Sequence, residues 1–402
     1  LFFPLFLLPS LSLSPRRERK MAGSMTIWFF VVLSISILLS WTNPRGETIK
    51  PFSLTPLYSS TQSASSSSNE DISGLRYDFY HETCPQAESI VRTHMARLYS
   101  DHDNVSAALL RLFFHDCFIE GCDASVLLDD SNGDKNHSIE RQAIPNQTLR
   151  GFDKIDSIKE ELEKACPGVV SCADIVSIAT RDGIMLAGGP FYPVLTGRRD
   201  SIHSYFNEAL AAIPRPDDNI TQTLHLFDLR GFDERETVSL LGAHNIGKIG
   251  CEFIQKRLFN FKGTGQPDPT IAPDFLTEMR MRCQDSNRTT TRPSSSMASL
   301  EMSESAVGMS YLQALSSSIS SGAGFDTHYY QSLLSGRGLL FADQQLMANE
   351  KTARLVRAYA SDDGSTFRMD FARAMMKMSG LNVLTGSQGQ VRRNCSLPLV
   401  SS

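Results

Sequence analysis

The chain has 402 residues, 41% of them hydrophobic and 21% charged, with a formal net charge of −5. It is long and apolar enough to bury a sizeable core, and its mildly acidic balance lacks the concentrated basic face that gripping nucleic acid requires. Nucleic-acid binding is set aside on that ground.

In chain order, the first feature is the apolar run IWFFVVLSISILLSW at 27–41. Its length suits the apolar core of a signal peptide and falls short of the ~20 residues of a membrane-spanning helix. Residues 1–46 are expected to be an export signal, with an uncleaved anchor as the alternative, and what precedes Met21 reads as possible upstream translation. Residues 47–74, ending SSSSNEDISG, hold too little apolar surface to order themselves and read as a flexible leader.

All eight cysteines lie between Cys84 and Cys395, an even set that suits a disulfide framework in an oxidising compartment. Free buried thiols are the alternative, and spacing alone does not choose among the possible pairings. Sequons at Asn104, Asn136, Asn146, Asn219, Asn287 and Asn394 agree with a secreted chain, with the vacuole as a second destination.

From Leu75 onward apolar residues recur at helical spacing, as in Phe152, Ile155, Ile158 and Leu162, or Phe367, Phe371, Met375 and Met378. Strict alternation is scarce. ACPGVVSC (165–172) and LAGGPFYP (186–193) carry the Gly and Pro that stop one helix and admit the next. The pattern predicts an all-α domain of about ten helices over 75–397, with a polar insertion near 285–308.

Three stretches hold residues suited to chemistry. In RLFFHDC, Arg111 and His115 are four apart and share a helix face with Phe114 beside them. An imidazole can shuttle a proton while a permanent cation stabilises a developing anion, a pairing that suits cleavage of a polar O–O bond. A surface-paired arginine and a satisfied core histidine remain the ordinary alternative. Cys117 and Cys122 with His115 resemble part of a zinc knuckle without a fourth ligand. If the two cysteines instead bond to each other, Asp116, Asp123, Ser125 and loop carbonyls form an all-oxygen set suited to Ca²⁺. His244, after the helical stretch ERETVSLL, is flanked by Gly242, Ala243 and Gly247, small enough for a flat group to approach the backbone; it is either an axial haem ligand or a core histidine.

Taken together, RLFFHDCF, GCDASVLL, RGFDKIDSIKEELEKACPGVVSCADI, GGPFYPVLTGRRD, LGAHNIG, FDTHYY, GLLFADQQL and LTGSQGQVRRNC resemble the class III secretory plant peroxidases, over about 80% of the chain. The resemblance implies a haem b peroxidase fold with the haem between a distal and a proximal half, and a monomeric enzyme that reduces H2O2 and oxidises small phenolic donors by one-electron steps. Association with the cell wall is expected. It assigns Arg111 and His115 to the distal pair, Asn146 to orienting His115, Glu140 to the acid linked to that Asn, and Phe114 to shielding the haem edge. His244 becomes the iron ligand, Asp343 its hydrogen-bond partner, and Pro214 part of the aromatic-donor site.

The same resemblance implies four disulfides, Cys84–Cys166, Cys117–Cys122, Cys172–Cys395 and Cys251–Cys283. A distal Ca²⁺ would be held by Asp116, Asp123, Ser125 and the carbonyls of Ile119 and Gly121. At the proximal Ca²⁺, Ser321, Gly324 and Asp326 remain compatible, but Asn245 stands where the family has Thr, and Ser318 where it has Asp. Weaker proximal binding is therefore expected, since site charge helps set affinity. A haem-binding wall protein without turnover is the competing reading.

Overall fold

Helix after helix, with isolated β-bridges such as Arg76 to Thr196 as the only extended pairing among the described residues, gives the all-α architecture that the spacing predicts. The computed structural model describes residues 74–102, 104–129, 139–288 and 325–399. The apolar run at 27–41, the leader up to residue 73, Asn136, most of the insertion near 285–308, Ser318, Ser321 and Gly324 lie outside them. Among the described residues, no helix is long and apolar enough to cross a membrane.

Thirteen α-helices occur among the described residues, against an expected ten or so, the surplus coming from short segments. They are α1 (Ala87–Asp101), α2 (Val105–Phe118), α3 (Phe152–Ala165), α4 (Cys172–Leu186), α5 (Phe206–Ala212), α6 (Ile220–Asp228) and α7 (Glu234–Leu241). After them come α8 (Gln255–Phe259), α9 (Pro273–Arg288), α10 (His328–Leu334), α11 (Phe341–Gln344), α12 (Glu350–Ser361) and α13 (Ser365–Ser379). The polar stretch expected to begin at 285 starts as helix, because α9 runs on past Cys283 to Arg288.

Local chemistry places these boundaries. Ser171 accepts from the Asp174 amide and starts α4, while Asn219 with Gln222 and Asp233 with Glu236 form reciprocal capping boxes at the starts of α6 and α7. In α4 every residue from Cys172 to Ile184 is buried, which makes it the central helix, with α2 and α1 packed against it. A Cβ on Gly183 would lie 3.3 Å from Met95 and from Ser106, so this glycine lets α4 approach the other two closely. On the other side of the fold α7 packs on α13, and α10 on α12.

All four implied disulfides are present, and none of the cysteines is free. Cys172–Cys395 spans 223 positions and ties the C-terminal segment to the start of α4. Bridges that close loops cleanly contribute about 2–4 kcal/mol each.

Candidate active site

The distal half is built on α2. Helical geometry puts Arg111 and His115 on one face as the four-residue spacing predicts, and His115 is buried. Behind them Phe114 stacks on Phe118 at 4.7 Å and on Phe227 of α6 at 5.9 Å, which fixes the depth of the helix. Arg111 Nη2 donates to the Pro145 carbonyl at 2.9 Å, tying the helix to the turn that carries Asn146.

His115 Nδ1 lies 2.6 Å from Asn146 Oδ1. Because Asn146 Nδ2 donates to the Glu140 carbonyl at 2.9 Å, its oxygen must face the imidazole. An amide oxygen only accepts, so Nδ1 carries the proton and Nε2 is left as a base. Burial, helped by the nearby Arg111 charge, lowers the His115 pKa to about 3, so the ring is neutral at physiological pH. Arg111, brought by burial to about 10, stays a cation.

The link expected between Glu140 and Asn146 exists, but it runs through the Glu140 main chain rather than its acid. The carboxyl turns away, taking the Tyr205 amide at 3.0 Å on Oε1, while the buried Oε2 has no hydrogen bond. Asn146 is 2% exposed, so its sequon is buried in the folded chain.

On the proximal side α7 ends at Leu241, and His244 sits one tight turn beyond it, in the 3₁₀ segment Gly242–Asn245. Two of the small residues flanking His244 face other parts of the protein. A Cβ on Gly242 would lie 2.3 Å from Tyr330 Oη and 2.5 Å from the Phe367 ring, and one on Gly247 would lie 2.8 Å from Ala107 Cβ beside α2. They admit protein neighbours to the turn. His244 Nδ1 lies 2.8 Å from Asp343 Oδ1, and Asp343 is fully buried on α11. Burial alone would lower the His244 pKa, but the Asp343 charge and hydrogen bond outweigh it and raise the value.

Arg111 links the two histidines electrostatically. The charge of Arg111 acts on both His115 and His244, and the His244 side chain, although deep in the protein, keeps 42% of its surface accessible. Arg111 is thus near enough to both rings for its charge to bear on each. Pro214 lies between α5 and α6. It follows α5, which packs on the 144–146 turn, while the carbonyl of Pro216 accepts from the Ala342 amide of α11 at 3.0 Å.

Beyond His115, the Cys117–Cys122 bridge closes a tight loop; Glu120 inside it and Ala124 just after it adopt φ of 55° and 57°, a region uncommon for non-glycine residues. Asp116, Asp123 and Ser125 are buried there, and Asp116 Oδ1 and Ser125 Oγ have no hydrogen-bond partner. Ser125 sits close enough to influence the carboxyls of both Asp123 and Glu140 without forming a well-shaped hydrogen bond. Burial raises the Asp116 pKa and takes Asp123 to about 6 and Glu140 to about 8. Buried, unpaired oxygens with carbonyls at Ile119 and Gly121 are a donor set that fits a hard cation. With two carboxylates on the loop it is no zinc knuckle, since both cysteines are consumed in the bridge.

The proximal set differs. Asn245 is buried and donates through Nδ2 to the Asp326 carbonyl, leaving its Oδ1 unpaired. The Asp326 carboxylate accepts from the His328 amide at 2.8 Å and also contacts the His328 ring. The Asp326 carbonyl and carboxylate are thus engaged with protein donors, while Asn245 Oδ1 is left without one.

Two supporting residues escaped the sequence reading. Tyr329 donates to Asp343 Oδ1 at 3.0 Å, and Arg257, buried against Asp268, donates to the carbonyls of Leu339 and Leu340 and so holds the segment leading into α11. Their partners lie 11 to 83 positions away, where no local pattern points.

The family described as Peroxidase matches residues 91–362. Among similar proteins of Arabidopsis thaliana, "Putative Peroxidase 48" is 43% identical over 94% of this chain and 95% of its own length. Peroxidase 57 is 40% identical over 80% of this chain and 91% of its own, and Peroxidase 10 is 39% identical over 81% and 87%. The match to the peroxidase family over most of the folded chain, relatives at about 40% identity with high coverage and the four disulfides place the chain in the class III plant peroxidases, as a haem peroxidase.

Proposed function

We propose that His115 is the distal acid–base group of this peroxidase, Arg111 its electrostatic partner and His244 the axial ligand of haem b, with small phenolic compounds as electron donors. The observation that carries this reading is the 2.6 Å contact between His115 Nδ1 and Asn146 Oδ1, which leaves a neutral imidazole with Nε2 available. When bound, haem supplies an iron centre that accepts two oxidising equivalents from peroxide and passes them on singly to donors.

His115 Nε2 takes the proton from one peroxide oxygen and returns it to the other, which leaves as water. Arg111 stabilises the negative charge that builds as the O–O bond breaks, at low cost because the cation is already in place. Asn146 holds the tautomer, and Phe114, braced by Phe118 and Phe227, limits approach from the distal side. Asp343 draws the Nδ1 proton of His244, which strengthens the imidazole as a ligand. Pro214, between α5 and α6, would be the contact for a planar donor.

The distal Ca²⁺ would be held by Asp116, Asp123, Ser125 and the Ile119 and Gly121 carbonyls, and its support is the pair of buried oxygens left without partners. At the proximal position Asn245 and Asp326, with Ser318, Ser321 and Gly324, form the weaker candidate set. Export to the wall space, supported by the disulfide framework, and action as a monomer complete the reading.

The test is to reconstitute the full chain with haem and Ca²⁺ and add H2O2 with guaiacol. A Soret band that shifts with peroxide and returns as guaiacol oxidises is expected; haem binding without a response to peroxide would instead identify a haem-binding wall protein.

A further inference from the structure

Asp343 Oδ1 receives two donors. His244 Nδ1 lies 2.8 Å from it and Tyr329 Oη 3.0 Å, with Tyr329 and Asp343 both fully buried. The Tyr329 ring stands edge-on to the His244 ring with centroids 6.3 Å apart. Its placement on α10 is fixed from both ends. Asp326 caps the amide of His328, Asn245 donates to the Asp326 carbonyl, and Tyr330 donates to the Val238 carbonyl of α7 at 3.0 Å. Since Asn245 follows His244 in sequence, the imidazole, its carboxylate and the phenol belong to one closed ring of contacts.

We infer that Tyr329 is a positioning residue that tempers the pull of Asp343 on the proximal imidazole by occupying the same carboxylate oxygen. A carboxylate that shares its charge between two donors is a weaker acceptor for each. His244 therefore keeps its Nδ1 proton more firmly and pushes less electron density towards bound iron than an unshared pair would. Tyr329 thus sets how far Asp343 can push the iron towards oxidation. This inference rests on the reading of His244 as the axial ligand.

The test uses the full-length haem-loaded protein and reads the iron–histidine stretching band of the reduced form together with the ferric/ferrous potential. Tyr329→Phe keeps the ring packing and removes the hydroxyl, so the band is expected to rise in frequency and the potential to become more negative. Asp343→Asn, which removes the pull itself, shifts both in the opposite sense and calibrates the scale. If Tyr329 only anchored Asp343, its loss would loosen the His244 contact and Tyr329→Phe would follow Asp343→Asn; that result, or no shift, overturns the inference. A difluorotyrosine installed at position 329, a stronger donor of the same shape, is expected to move both readouts towards Asp343→Asn, and this holds even if the Phe variant fails to take up haem. Absence of any iron–histidine band in the unmodified protein would count against His244 as ligand, a failure separate from that of Tyr329.

Discussion

Asn146 and His115 are 31 positions apart in sequence and 2.6 Å apart in space, and the direction of their hydrogen bond is set by a third group, the Glu140 carbonyl that accepts from the other end of the carboxamide. That single constraint fixes which nitrogen of His115 carries a proton. The proposed proton transfer from peroxide depends on it.

His115→Ala removes the proton shuttle while leaving His244 and Asp343 untouched. The second-order rate of the reaction with peroxide, measured by stopped-flow absorbance, should fall by on the order of 10²–10⁴ with haem still bound. Asn146→Leu should slow the same step less, because the base survives and only its tautomer is released. Unchanged rates in His115→Ala would remove it from the mechanism.

The pH dependence follows from the same residue. His115 falls from an ordinary 6.5 to about 3 in the folded chain, so between those values the unfolded chain binds more protons than the native one. This contribution to stability is present above about pH 6.5 and is lost as pH falls towards 3. The peroxide reaction should stay nearly flat from neutral pH down to about 4 and then decline as the imidazole is protonated. A midpoint near 6.5 in the pH–rate profile would contradict the burial argument.

Calcium removal should matter most at alkaline pH. In the metal-free chain, burial raises Asp123 to about 6 and Glu140 to about 8, so these carboxyls hold protons that the unfolded chain has already released. Their stabilising contribution is complete below about pH 4 and is lost as pH climbs through 6 to 8. Calorimetry after chelation should show a Tm that falls from pH 5 to pH 8, with added Ca²⁺ restoring more of it at pH 8. Equal Tm values with and without Ca²⁺ at pH 8 would count against a distal cation.

Gly242→Ala tests the packing beneath the proximal turn. The new methyl would meet Tyr330 Oη at 2.3 Å and the Phe367 ring at 2.5 Å, both in a tight aromatic cluster with Tyr359. Overpacking of this kind costs about 1–3 kcal/mol, read as a lower denaturant midpoint. Haem affinity should fall with it, because the turn that carries His244 must shift.

The sequence by itself determined the helical class, the shared face of Arg111 and His115, and the stop signals around ACPGVVSC, because these depend on spacing within a few residues. Its motifs also identified the family, and with it the disulfide pairs and the His244 to Asp343 partnership. What only the tertiary structure decided were contacts between distant segments. Glu140 serves Asn146 through its carbonyl and not its acid, since the 3₁₀ turn at Glu140–Gln142 aims the main chain inward. Gly242 is small for the sake of Tyr330 and Phe367, and Tyr329 shares the oxygen of Asp343. Such relations follow from how α7, α10, α11 and α13 pack against one another, a choice made by the burial of many side chains at once that no local stretch of sequence encodes.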